Sequence, residues 1–198
     1  AGKSTLSPYQ CWVIPVEGVA DKGGDVSLKV ISDQPILGER HCHLGTQVLD
    51  FPGAAFELSS IGTRLFFAEI ASYIGDWIRF LNVGDSEALI SVIAHDRETG
   101  RIVNQLQGRA SPLGWWTITD AQIGKVTGTL EVISTQPIVG ERHSHYSGGE
   151  SAVGQLGQVA DGKYPPPKRI YFAQIAPGEW GDWITTTNFS NQQAKLTA

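Results

Sequence analysis

Residues 132–145 read VISTQPIVGERHSH and residues 30–43 read VISDQPILGERHCH, identical at eleven of fourteen positions. A second pair recurs at a similar offset: FFAEIASYIGDWI at 66–78 returns as YFAQIAPGEWGDWI at 171–184, with one residue inserted. The offset is 102 residues for the first pair (30 to 132) and 106 at the end of the second (78 to 184). A unit of about 104 residues is a small domain, well beyond a solenoid repeat, so the chain of 198 residues holds two domain equivalents.

With 41% hydrophobic and 18% charged residues, the composition is that of a globular protein. Its 23 Gly and ten Pro punctuate short runs rich in Val, Ile, Thr and Trp, a pattern that favours strands over helices. A net charge of −5 and a pI near 5.5 lack the basic stripe of a phosphate-backbone binder, so no nucleic-acid partner is expected. No apolar run reaches the roughly 18–20 residues of a spanning helix, so no membrane span is expected. The chain starts at Ala1 and contains no Met, which reads as a secreted protein after signal-peptide removal, extracellular or at the cell surface. Cys11 and Cys42 stand where the other copy has Trp115 and Ser144. A disulfide between them and a pair of free thiols are equal alternatives.

Between 65 and 169 the repeat is uninterrupted, and period-2 alternation divides it into strands at 66–71, 76–82, 88–95, 101–106, 115–119, 127–134 and 137–146. Asn82-Val83-Gly84-Asp85 and Glu98-Thr99-Gly100 supply turns. This density of short strands predicts an all-β fold, an Ig-like or jelly-roll-like antiparallel β-sandwich in two tandem equivalents. Residues 1–64 match only the last strands of the intact copy, with Ser7-Pro8 facing Ser111-Pro112, and residues 170–198 match only the first. The second sandwich equivalent is thus 1–64 plus 170–198. Three arrangements follow: the two parts join within one chain, they complete each other between neighbouring chains, or the domains run 1–97 and 108–198 in a shifted phase. A strand without partners exposes unpaired N–H and C=O groups, and a strand from another molecule satisfies them. Such a head-to-tail contact closes into a ring or propagates as a filament.

Phe66-Phe67-Ala68-Glu69, Asp76-Trp77-Ile78, Asn82 and the run QPIVGER at 136–142 fill, in order, the places of a repeat of the type YFAEG…DTWI…N…SDQPIVAER. The chain resembles this repeat, found in secreted and cell-surface proteins of actinobacteria and filamentous phototrophic bacteria, along nearly its whole length in two copies. More loosely it is similar to the β-sandwich family of sensory rhodopsin transducers, through the Asn-turn-Ala strand and the Ser-x-x-Pro-Ile-Val strand. The resemblance implies a surface or interaction module, and ring-like oligomers in the second family, with no catalytic centre. Two departures mark this chain: Ile70 and Ile175 replace a family glycine, and a His-x-His stands where apolar or small residues are usual.

Those histidines are His41 with His43 and His143 with His145. Residues i and i+2 of a strand share a face, a spacing from which two imidazoles can grip one divalent ion with Glu150, Cys42 or His95 as a third ligand. The competing reading is a duplicated strand face without a ligand. Part of a cupin pattern occurs at His143, His145, Glu150 and Gly157, but each copy lacks one ligand of that set. Glu39-Arg40 and Glu141-Arg142 are neighbours on a strand and point to opposite faces, so they do not pair with each other. Trp77 and Trp183, each preceded by Gly-Asp, read as core anchors or a carbohydrate-stacking platform. Of Trp115 and Trp116, one must face away from the core. Asn188-Phe189-Ser190 is a glycosylation sequon. Residues 163–168, KYPPPK, read as an extended spacer. There is no Walker loop, GxSxG elbow, CxxC or GxGxxG.

The sequence therefore predicts a non-catalytic extracellular structural protein that binds copies of itself by strand complementation, without a cofactor. Strands 35–43 and 171–176, with Trp115, Trp116, Tyr171 and Phe172, are the expected joint. The alternative is a module that binds a surface glycan through exposed Trp, or a metal through the His-x-His pairs.

Overall fold

Alternation of apolar and polar residues in the middle of the chain produces an antiparallel β-sandwich organised around one long strand. The structure, a computed structural model, describes residues 3–14, 25–44, 47–54, 60–71, 75–124, 126–146, 151–160, 186–188, 190 and 192–195. It divides into two compact units, Ala1–Pro35 and Ile36–Ala198. The larger contains a hairpin of β1 (Glu39–Leu44) and β2 (Gln47–Pro52), then β3 (Gly62–Ala71), β4 (Trp77–Asn82), β5 (Ala88–Asp96), β6 (Ile102–Ala110) and β7 (Trp115–Thr119). A single helical turn α1 (Asp120–Ile123) leads to β8 (Thr127–Tyr146), followed by β9 (Ser151–Leu156) and β10 (Gln158–Val159). In the smaller unit, described residues 3–14 and 25–35 contain turns and no strand.

The first half of β8 lies between β3 and β5, and its second half lies between β4 and β9. One strand thus belongs to two layers, β10–β3–β8–β5–β6 and β9–β8–β4–β7. Ile138 marks the hand-over, since it is register partner to both Gly62 and Asn82. Strands that switch layers at a bend make the corners of sandwiches. The residues of the repeated motif explain the bend. Pro137 has no N–H for the ladder to lose, while its carbonyl accepts from Val83 N–H at 3.0 Å. Ser134 Oγ accepts from Gln136 N–H, and Thr135 Oγ1 from Leu89 N–H, satisfying donors displaced from the ladder. The expected strands 127–134 and 137–146 are therefore one strand of 20 residues.

Between the layers, Ile78 and Phe80 from β4, Ile90 and Val92 from β5, and Leu130 and Val132 from β8 form the centre of the core. Gly140 lets the layers close, because a Cβ there would come within 2.9 Å of the Phe67 ring. Asn82, Asp76 and Arg142 are buried with this core. Asn82 is fully enclosed: its Nδ2 donates to Ser86 O and Ala110 O, its Oδ1 accepts from Gly84 N–H, and its backbone bonds both Leu113 and Gly114. Asp76 and Arg142, each with a side chain 2% exposed, form an ion pair through Oδ2 at 2.8 Å from Nη2 and 3.0 Å from Nε. Ala71 N–H also donates to that oxygen, and Arg142 Nη1 donates to Gln155 Oε1. The GDW and GER motifs meet in this pair, which fastens the start of β4 to β8 and, through Gln155, to β9.

Strand positions in the intact copy follow the alternation, with β6 reaching Ala110 rather than ending at 106. In the first copy the expected strand 35–43 begins only at Glu39, since residues 35–38 have no ladder partner among the described residues. Strands β2, β9 and β10 are additions that pairing creates in sequences with weak alternation. The two hairpins share one geometry. Glu39 opposes Pro52 as Glu141 opposes Leu156, and each hairpin closes with a glycine bond of 2.8 Å, Gly53 N–H to Gly38 O and Gly157 N–H to Gly140 O. The β1–β2 hairpin packs beside β9, its Phe51 ring lying over Gly154 where any Cβ would collide with it.

Removing one member of a buried ion pair leaves the other charge without compensation, at a cost of about 3–5 kcal/mol. Asp76→Ala and Arg142→Met are each expected to lower unfolding stability by that amount, and the double substitution by less than the sum of the two. Urea denaturation measures all three. A single-substitution cost under about 1 kcal/mol would put the pair on a level with surface ion pairs and contradict the assignment.

Candidate functional site

The outer face of the β9–β8–β4–β7 layer gathers several of the side chains that the sequence singles out. Odd-numbered residues of β8 point outward here, so Glu141, His143 and His145 share this face with Trp77 and Arg79 of β4 and with Trp115 of β7. Trp77 and His143 are cross-strand partners, and their rings stack at 3.6 Å between centroids and 18° between planes. Phe51 of the β1–β2 hairpin covers His143 at 4.7 Å. The imidazole is thereby 4% exposed, and its Nε2 has no hydrogen-bond partner among the described residues. Glu141 Oε2 stands 3.7 Å from that nitrogen, beyond hydrogen-bond reach, and acts on it through charge. His145 Nε2 accepts from Trp77 Nε1–H at 3.3 Å, which leaves the proton of a neutral imidazole on Nδ1.

Burial holds His143 below the ordinary imidazole value, with the Arg40 and His145 charges adding to that effect and Glu141 opposing it. Burial also works to raise the Glu141 carboxyl, but His143, Arg40 and Arg79 together outweigh it and hold the group below its usual range. Arg40 supplies this charge from the hairpin, with Nη1 3.3 Å from Glu141 and its guanidinium 4.5 Å above the Phe51 ring. Arg79 lies over both Trp77, at 5.4 Å, and Trp115, at 5.0 Å, and donates to Thr117 Oγ1. Trp115 is the outward member of its pair. Trp116 turns inward against Phe80 and lies beside Gly108.

His143 and His145 are engaged by Trp77 in separate ways, one as a stacking partner and the other as an acceptor. His41 is exposed on the hairpin, its Nδ1 2.6 Å from Asp50 Oδ1 and its Nε2 3.8 Å from Glu39 Oε2. Glu39, His41 and Asp50 each offer a ligand atom within 4.8 Å of the others, a set that suits a divalent cation. Asp50 enters this set as the register partner of His41 on β2, a strand with no signal of its own in the sequence. The side chain of His43 lies outside the described residues, as do Glu150, Tyr171, Phe172, Trp183 and the 163–168 spacer. Of the other expected ligands, His95 bonds the Gly100 carbonyl through Nδ1. Cys11 is exposed and Cys42 half-buried, both as free thiols.

No family model and no curated protein matches the chain. A crystal structure of Thermotoga maritima 1070 is similar to 48% of this chain and 91% of its own, at 16% identity and a TM-score of 0.42.

The depressed His143 titration makes stability depend on pH. The unfolded imidazole takes up its proton near pH 6.5 while the folded one resists it, so stability is full above that range and falls as pH is lowered through it. Thermal unfolding midpoints should drop between about pH 7.5 and 5.5, and His143→Phe, which keeps a ring between Trp77 and Phe51, should flatten the slope. An unchanged slope in that variant would exclude His143 as its source.

Proposed function

We propose that the protein is a non-catalytic, extracellular structural subunit that assembles head to tail into rings or filaments by strand complementation. One observation carries this reading: the same sequence occupies opposite environments in its two copies. Leu130, Val132 and Ile138 are each 0% exposed in the core, whereas their counterparts Leu28, Val30 and Ile36 are 53%, 50% and 49% exposed. Residues 28–37 belong to no strand, while the corresponding part of β8 is flanked by β3 and β5. Full burial of an exposed side chain of this kind is worth roughly 1.5–3 kcal/mol, so each of these half-exposed ones gains roughly half that. The segments that would cover them by the logic of the repeat are the counterparts of β3 and β4, residues 171–176 and 183–188. A neighbouring copy supplies these and offers its own 25–37 segment to the next, which makes the contact directional and repeating. The resemblance to secreted surface repeats supports the extracellular setting.

Sedimentation velocity and negative-stain microscopy across micromolar concentrations test the proposal. Rings or filaments are expected. Leu28→Asp with Val30→Asp should raise the assembly threshold at least about a hundredfold while leaving the melting of the sandwich at 62–160 in place. A compact monomer at every concentration would overturn the assembly.

A second reading rests on Glu39, His41 and Asp50: the hairpin holds one zinc or nickel ion on its exposed face. Calorimetric titration should then give one site per chain, lost in His41→Ala and Asp50→Asn and retained in His143→Phe. A titration without heat or a stability change, or one unaffected by His41→Ala, would rule this site out.

A further inference from the structure

We infer that the turn at residues 7–10 of one chain docks onto the Asn188 turn of a neighbouring copy, with Asn188 Nδ2–H donating to the Leu6 carbonyl and Tyr9 N–H donating to the Asn188 carbonyl. The inference rests on the assembly proposed above and supplies its register.

Within the sandwich, two turns that are far apart in sequence are tied together through Asn82. One is the turn that follows it, held by Asn82 Nδ2–H to Ser86 O at 2.7 Å and Gly84 N–H to Asn82 Oδ1 at 2.9 Å. The other is the Ser111–Gly114 turn, closed by Gly114 N–H to Ser111 O at 2.8 Å, with Leu113 at φ 58°. Three bonds join them: Asn82 N–H to Gly114 O, Leu113 N–H to Asn82 O, and Asn82 Nδ2–H to Ala110 O.

Both turns exist a second time, each with its own internal bonds in place. Asn188 is the repeat counterpart of Asn82, and its Nδ2–H donates to Gln192 O at 2.7 Å while its Oδ1 accepts from Ser190 N–H at 3.1 Å. The spacing of both bonds, four and two residues, is that of the Asn82 turn. Ser7 to Gln10 is the counterpart of Ser111 to Gly114, closed by Gln10 N–H to Ser7 O at 3.0 Å, with Tyr9 at φ 65°. A left-handed conformation costs a non-glycine residue roughly 1–2 kcal/mol. In Leu113 that conformation aims the N–H at Asn82. In Tyr9 it is held on a residue that is 104% exposed. Asn188 is exposed as well and lacks, among the described residues, the third bond that its counterpart makes to Ala110. Two complementary halves of a five-bond hub are thus preformed on the surface, and a second copy of the chain is the partner that fits both. A glycan on Asn188 would occupy the same nitrogen, so the docked form carries Asn188 unmodified.

The register places natural Cys11 opposite Thr187, because their counterparts Trp115 and Leu81 are direct cross-strand partners. Directly opposed antiparallel residues lie within disulfide range. One chain carrying Cys42→Ser is mixed under oxidising conditions with a second carrying Cys11→Ser, Cys42→Ser and Thr187→Cys. A disulfide-linked mixed dimer is expected, at a rate well above that of a Lys195→Cys control. Asn188→Asp, which keeps the acceptor and removes the donor, should raise the assembly threshold of the otherwise natural chain about tenfold, the worth of one interfacial hydrogen bond. Filaments or rings of the natural chain together with no preferential 11–187 link would overturn this register alone. A natural chain that stays monomeric would overturn the assembly and the register together.

Discussion

The buried ion pair between Asp76 and Arg142 is the constraint on which the rest of the sandwich depends. Two charges taken out of water are tolerated only when geometry and further hydrogen bonds compensate them, and a register slip at either strand would leave both uncompensated. The pair therefore fixes β4 against the second half of β8, and that register in turn sets the Trp77–His143 stack and the position of Arg79 over its two tryptophans. It also accounts for the two motifs that recur most faithfully in the sequence. GDW supplies the carboxylate and the stacking ring, and GER supplies the glycine that admits Phe67 and the guanidinium that is buried.

The first copy shows what the same residues do when this constraint is not met inside the described structure. Arg40, the counterpart of Arg142, is half exposed and rests on Glu141 and the Phe51 ring. Leu28, Val30 and Ile36 carry the pattern of a core strand into solvent. A strand pattern specifies which face wants burial, and the availability of partners decides whether burial occurs. That difference is the basis of the assembly proposed above, for which the turns at Tyr9 and Asn188 would supply a register.

The outer face of the second layer owes its character to cross-strand distances rather than to any one motif. His143 is enclosed because a hairpin from elsewhere in the chain lays Phe51 on Gly154, and its low affinity for a proton follows from that enclosure. The hairpin's opposite face carries Glu39, His41 and Asp50 in solvent, where ligands can approach.

Alternation made the strands of the intact copy readable, and Gly, Pro and Asn marked most of its turns, because both signals are local. Residue spacing likewise put His143 and His145 on one face of β8, and showed that Trp115 and Trp116 must part. The hand-over of β8 between layers was not legible, since it depends on which strands flank each half. Neither was Asp50, which joins His41 only through the pairing of β2. By itself, then, the sequence determined an all-β chain, two recurring stretches of sequence and the side chains each strand presents to each face. Only the tertiary structure decided that Asp76 and Arg142 are buried together, that His143 is sealed between two rings, and that Val132 is in a core while Val30 is in water. Those outcomes depend on contacts between segments far apart in the chain, which local pattern does not encode.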